Sequence, residues 1–285
     1  MATKIVIDSA SDLTKEQAEQ LGVIFLPMSI TIGDEEFYDG VDITAHEFYE
    51  KLIESADLPK TSQVAPYLFE EVFEEQVKLG NEVVVLTISS KLSGTFEGAT
   101  RSAQKFNGKV FVVDTLSCAV GERLLLLHAL SLLEQGWSAS EIANEIEKVK
   151  GRIRLMAVVD TLKYLKKGGR ISTATAIAGE VLSIKPVVAL VDGKVKMIGK
   201  AMGSRKANNL LNQMVVSNGG IDFSMPCGTI WSGLDSSLHD KYVRDSASLW
   251  QGQVEQVPSY RIGATIGTHV GPGAVGVAFF AKEGK

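Results

Sequence analysis

The run Val83-Val84-Val85-Leu86-Thr87-Ile88 leads directly into Ser89-Ser90-Lys91-Leu92-Ser93-Gly94-Thr95-Phe96-Glu97. An uninterrupted β-branched apolar run reads as a buried strand, and small hydroxyl residues and a glycine stand where that strand should hand over to a helix. The first turn of a helix leaves backbone N–H groups unpaired and carries the positive end of the helix dipole. Ser93 and Thr95 add hydroxyl donors, and Gly94 lets a ligand approach. The junction suits an anion, either a carboxylate or a phosphate.

Across the first half of the chain, β-branched runs alternate with amphipathic segments, the pattern of a parallel sheet with crossover helices. Ile5-Ile7, Val23-Leu26, Val83-Ile88 and Val110-Val113 are the expected strands. Thr14 with Gln17, Thr44 with Glu47 and Ser138 with Glu141 have the spacing of capping boxes at three helix starts. Another helix is expected from Pro66, with Phe69, Val72, Phe73, Gln76 and Val77 on one face. Leu124 to Leu133 is apolar nearly all round, so its helix should lie between other elements. Polar residues cluster at strand ends (Asp8 and Ser9, Ser89 and Ser90, Asp114 and Thr115), where open α/β sheets bind ligands.

The texture changes near residue 151. Ile153-Val159 reads as a strand, followed by the basic, glycine-broken stretch from Tyr164 to Ser172 and then an Ala-rich helix. Val191-Asp192-Gly193-Lys194 between β-rich runs is a hairpin signal. Further strands are expected at Gly228-Trp231, Val254-Val257 and Gly276-Phe280, with a helix from Ser236 to Trp250. The expected fold class is α/β with two domains: a parallel-sheet domain over 1–152 and a mixed α+β domain over 153–285, with the ligand between them.

With 285 residues and 45% hydrophobic content, the chain can bury a sizeable core. A net charge of -5 argues against a general nucleic-acid binder, which needs clustered cationic charge. Cys118 and Cys227 have no metal-binding or disulfide spacing and read as core residues of a reducing compartment. The start of the chain enters a strand, not a signal sequence, and no apolar run approaches the roughly 20 residues of a membrane span. A cytoplasmic protein is expected.

Gly271-Pro272-Gly273-Ala274-Val275-Gly276 matches the dinucleotide fingerprint in letters, but it opens a strand and lacks the acidic residue that a ribose would require. Lys91 stands where a hydrolase elbow around Ser93 would need glycine, and no P-loop occurs. Four histidines, His46, His128, His239 and His269, lack metal-ligand spacing, so neither a metal nor a nucleotide cofactor is expected. His269, within a glycine-rich segment, is the one suited to hydrogen-bond a carboxylate and, if protonated, to add charge to that bond.

Five blocks then occur in one order: Asp8-Ser9 with Ser11-Asp12-Leu13, Thr61-Ser62-Gln63, Ser89 to Thr95, Gly168-Gly169-Arg170-Ile171-Ser172, and Gly267 to Gly273. With them the chain resembles the DegV family of fatty-acid-binding proteins from end to end. The resemblance implies two α/β domains enclosing a long-chain fatty acid, with its carboxylate at Thr61, Ser62, Ser93, Gly94, Thr95 and His269. Val64-Ala65 precede Pro66 where the family often has Pro directly after Gln63, so which of Thr61 and Ser62 makes the main contact stays open. Similarity to the binding-protein half of bacterial fatty acid kinases implies a non-catalytic carrier that presents its ligand to a separate ATP-dependent kinase. Arg170 could support the headgroup or form an interdomain salt bridge. Arg205, with Lys200 and Lys206, could dock an acidic partner. The rivals are a hydrolase or acyltransferase using Ser93 and His269, and a lipid-sensing regulator.

Overall fold

The computed structural model describes residues 2–55, 57–172 and 183–283. Four strands, β1 (Thr3–Asp8), β2 (Ile24–Leu26), β6 (Glu82–Thr87) and β7 (Val110–Asp114), form a parallel sheet in the order β2-β1-β6-β7. These are the four expected from the β-branched runs. The helices between and after them are α1 (Lys15–Gln20), α2 (Ala45–Glu54), α3 (Pro66–Lys78), α4 (Thr95–Ala103), α5 (Ala119–Glu134) and α6 (Ala139–Val149). Thr14, Thr44 and Ser138 each close a complete capping box, and Pro66 occupies the first turn of α3.

A small antiparallel sheet was not anticipated from the sequence: β3 (Ser29–Ile32), β4 (Glu35–Tyr38) and β5 (Lys60–Thr61), in the order β4-β3-β5. It encloses its own core of Ile30, Ile43, Phe48, Tyr49 and Leu52, joined by Ala264 from far along the chain.

The later strands make one mixed sheet. β8 (Ile153–Val158), β9 (Ile184–Val191), β10 (Lys194–Met202), β11 (Cys227–Trp231), β12 (Ser259–Arg261) and β13 (Val275–Phe280) lie in the order β10-β9-β8-β13-β11-β12, and β11 with β12 is its parallel pair. The described helices here are α7 (Lys163–Lys167), α8 (Ser204–Ser217), α9 (Ser237–Asp245) and α10 (Ala264–Val270). The chain thus has a parallel-sheet α/β domain and a separate mixed-sheet domain.

Asp192 and Gly193 turn the β9–β10 hairpin with φ of 52° and 75°, as an Asp-Gly pair permits. Its tip crosses to the first domain, where the Ser89 hydroxyl donates to the Gly193 carbonyl at 2.8 Å. Val254-Val257 is not a strand. Pro258 has no N–H to give a ladder, and pairing begins one residue later at Ser259. The 236–250 helix stops at Asp245 and continues as a short 3-10 turn, Ala247–Leu249. The Ala-rich helix expected after Ser172 lies outside the described residues.

Two apolar cores flank the mixed sheet. On one face Met156, Val158, Val187, Val277 and Phe279 meet α8 and α9. On the other, Leu155, Ala157, Val188, Ala278 and Phe280 belong to the same core as the parallel sheet. α5 runs between the two sheets, with Leu124, Leu125, Leu126 and Ala129 fully buried and contacts to β1 and β6 as well as β8 and β13. Its all-round apolar surface follows from having a sheet on each side.

Candidate functional site

Between the sheets lies a cavity whose lining is mainly apolar, with a few polar groups, as in small-molecule sites. Its apolar wall is built by strand alternation. Leu155 and Ala157 of β8, Val188 and Leu190 of β9 and Val195 of β10 line it, with Ala157 opposite Val188 and Leu190 opposite Val195 in register. Met28, Ile88, Cys118 and Ala119 come from the first domain, and Ile262, Ile266 and Val270 from α10 and its lead-in. These wall residues escaped sequence reading, although the period-two pattern of Leu155 with Ala157 and Val188 with Leu190 carries the signal.

Thr61, Ser62, Gln63, Ser93, Arg170 and His269 also line this cavity. A second depression shares Thr61, Arg170 and His269 with it and adds Lys60, Lys167, Gly168 and Asp57. The polar side chains thus border both an apolar interior and a polar outer basin.

Thr61 reaches this place because β5 pairs with β3, placing Thr61 opposite Ile30 and donating the Ser62 amide to the Ser29 carbonyl at 2.9 Å. Its Oγ1 lies 2.9 Å from His269 Nε2, joining residues 208 positions apart. Despite its glycine-rich surroundings, His269 is helical. It closes α10, which ends at Gly271 (φ 73°), where a side chain would strike the Tyr164 ring. Nδ1 of His269 is buried against Gly168 without a hydrogen-bond partner among the described residues. A lone pair there costs less than an orphaned N–H, so we assign the proton to Nε2, which donates to Thr61 and leaves the Thr61 hydroxyl proton free for a ligand. Burial, and secondarily the Arg170 charge, push His269 down to about 4. The imidazole is therefore neutral at pH 7 in the unliganded protein, not cationic.

Ser93 and Thr95 lie in one small network. Their hydroxyls are 2.9 Å apart, Ser93 Oγ accepts from the Thr95 amide at 3.3 Å, and Thr95 Oγ1 accepts from the Val64 amide at 3.4 Å. Thr95 is fully buried behind Ser93 and outside the cavity lining, so it braces the Ser93 loop against the Thr61-Val64 segment. Gly94 lies against the end of the Gln63 side chain. A Cβ there would collide with the Gln63 carboxamide, which fills that space.

Arg170 forms no interdomain salt bridge among the described residues. Its Nε and Nη2 donate to the Leu92 carbonyl at 3.3 and 3.1 Å, and its Nη1 to the Gly168 carbonyl at 2.6 Å, so it locks the residue before Ser93 to the second domain. Arg205, Lys206 and Lys200 are exposed at the start of α8 and on β10, outside the cavity lining. Among the described residues no group of His, Cys, Asp and Glu is arranged to hold a metal ion, and no helix is long and apolar enough to cross a membrane.

The same architecture occurs in known proteins. A 33% identical relative in Caldanaerobacter subterraneus subsp. tengcongensis and a 34% identical one in Deinococcus radiodurans, both DegV domain-containing proteins, each align over 98% of both chains. A Thermus thermophilus structure described as fatty acid binding of a DegV family protein superimposes with a TM-score of 0.88 at 33% identity, covering 99% of this chain and 100% of that one. DegV of Bacillus subtilis, described as a fatty acid binding protein, gives 0.84 at 27% identity, covering 99% and 100%. A stearic acid-binding protein from Eubacterium ventriosum gives 0.84 at 27% identity, covering 98% and 97%. The family model for uncharacterised proteins of the DegV family matches residues 2–282, and the chain belongs to the DegV family.

Proposed function

We propose that the protein binds a long-chain fatty acid, with its tail in the apolar cavity and its carboxylate at Thr61, Ser93 and His269, and that it presents this end to a separate ATP-dependent fatty acid kinase in the cytoplasm. The observation that carries the proposal is a cavity with an apolar wall from two domains and hydroxyl and imidazole groups at the boundary with an outer polar basin. Burying the roughly fourteen methylenes of a sixteen-carbon acid is worth on the order of 11 kcal/mol before ordering costs, so the tail supplies most of the affinity. The polar groups orient the carboxylate and replace its lost water, without which a buried charge is prohibitively costly.

A stand-alone hydrolase would need Ser93 to pass its proton to His269. Ser93 Oγ is instead bonded to Thr95, and His269 Nε2 to Thr61, which favours hydrogen-bond donors over a nucleophile and base. Arg205, Lys200 and Lys206, exposed away from the cavity, are the proposed docking patch for an acidic surface of the kinase. Arg205→Glu should weaken pairing with the kinase and leave lipid loading unchanged.

Denaturing mass spectrometry of an organic extract of the purified protein tests the central assignment. A co-purifying or added long-chain fatty acid is the expected result, and absence of both overturns it. Turnover of ester substrates with a covalent Ser93 adduct would establish the hydrolase instead.

A further inference from the structure

Helix α10 carries Ile266, His269 and Val270 to the cavity, yet the groups that hold its start come from the opposite end of the sequence. Asp39 Oδ1 accepts from the Ala264 amide at 3.0 Å, and Asp39 Oδ2 from the Thr265 amide at 2.9 Å. Asp12 Oδ1 accepts from the preceding Gly263 amide at 2.9 Å. Both carboxyls are buried, and Asp12 is held in the left-handed region (φ 59°) at the end of the Ser9–Ser11 turn. One turn along, α10 presses on α2 so closely that a Cβ at Gly267 would overlap Phe48 and Tyr49.

A helix this short moves as one body. Seven residues span about 10 Å, so a tilt of about 5° at the capped end shifts the other end by about 1 Å, enough to break a hydrogen bond of normal length. The Thr61–His269 bond lies at that far end. We propose that Asp39, assisted by Asp12, is a positioning residue for the headgroup. It fixes the direction of α10 and thereby where His269 meets Thr61, an assignment that rests on the fatty-acid reading. Asp12 in Ser11-Asp12-Leu13 thereby gains a role at a site that it does not touch. A cap that only stabilised the helix would affect every ligand alike.

The test compares palmitate with hexadecanol, which has the same tail without the carboxylate, in the wild type, Asp39→Asn, His269→Ala and the double variant. Asp39→Asn should weaken palmitate binding about tenfold, the equivalent of one hydrogen bond, and hexadecanol binding less than about twofold. The double variant should bind palmitate no more weakly than His269→Ala alone, because both changes remove one interaction. In imidazole NMR, His269 should titrate at higher pH in Asp39→Asn than in the wild type.

Equal weakening of both ligands, full additivity with His269→Ala, or unmoved His269 resonances would each overturn the positioning role. If wild-type protein binds neither probe, the fatty-acid reading fails, and the imidazole titration alone decides the positioning: a shift supports it and no shift overturns it. Should Asp39→Asn not fold, Asp12→Ala removes the single bond to Gly263 and is read by the same measurements.

Discussion

The protein buries titratable groups in two regions, with opposite consequences. At the mouth of the cavity a base, His269, is pushed down to about 4, first by burial and then by Arg170. Where the first strand of the parallel sheet ends, beside α5, acids are pushed up. Asp8 rises to about 7 through burial, against the opposing bonds from the Ile88 and Ala10 amides, and Asp12 and Glu122 also rise through burial. One cause acts on both regions, and both shifts favour neutral side chains. The difference lies in what can still reach them. His269 also borders the outer polar basin, so an arriving carboxylate can supply the electrostatic partner that water no longer provides. Glu122 is completely buried, and neither of its oxygens has a hydrogen-bond partner among the described residues. The mouth opens onto a polar basin, whereas the acid group is an internal part of the interdomain packing.

The largest effect that would break this contrast is at Ser93. Ser93→Ala should weaken palmitate binding about ten- to a hundredfold, the range for a hydrogen bond to a charged group, with the fold intact by circular dichroism. Unchanged affinity would remove Ser93 from the mouth.

A smaller loss, about fivefold, is expected for Gly168→Ala, because a Cβ there would press on His269 Nδ1 and weaken its bond to Thr61. Fluorescence titration with a labelled fatty acid measures it, and full affinity would show that the ring position is not critical.

The smallest effect concerns the acid group. The folded pKa of Glu122 lies above its unfolded value, so the folded state keeps a proton that the unfolded chain releases. Its stabilising contribution is present below the unfolded pKa and is lost as pH rises through the folded one. As pH rises above the ordinary glutamate value of 4.5, the thermal midpoint of Glu122→Gln should therefore fall less than that of the wild type, by about a few degrees. It will still fall, because Asp8 and Asp12 act with the same sign. His269 acts oppositely. Its depressed pKa makes the unfolded chain bind the extra proton, so its contribution is lost as pH falls from about 6.5 towards 4. Parallel wild-type and Glu122→Gln curves would show that Glu122 is not the buried acid described here.

Much of the scaffold was legible in the sequence because its signals are local. β-branched runs, three capping boxes, the Asp-Gly turn and the all-apolar α5 each depend on neighbours a few residues apart. The Gly33-Asp34 turn between β3 and β4 was equally local, but it was missed because charged Glu35 and Glu36 mask the alternation. β5 has only two residues and exists because β3 offers it an edge, so no window of sequence displays it. At the site, residue types pointed to Ser93 and His269 and the family resemblance to Thr61, but neither gave their division of labour. That Thr95 braces, that Gly94 makes room for Gln63, and that Arg170 ties Leu92 are facts of packing between distant segments.

The dependence of α10 on Asp12 and Asp39 sets an order of events during synthesis. Thr61 is made more than two hundred residues before its partner His269, and ribosomes add about 5–20 residues per second. For about 10 to 40 seconds, the first domain waits with the seat of α10 vacant and Phe48 and Tyr49 without their cover. Mutations around this seat should therefore show themselves in the yield of newly made protein and its need for chaperones before they show in the affinity of the protein that survives.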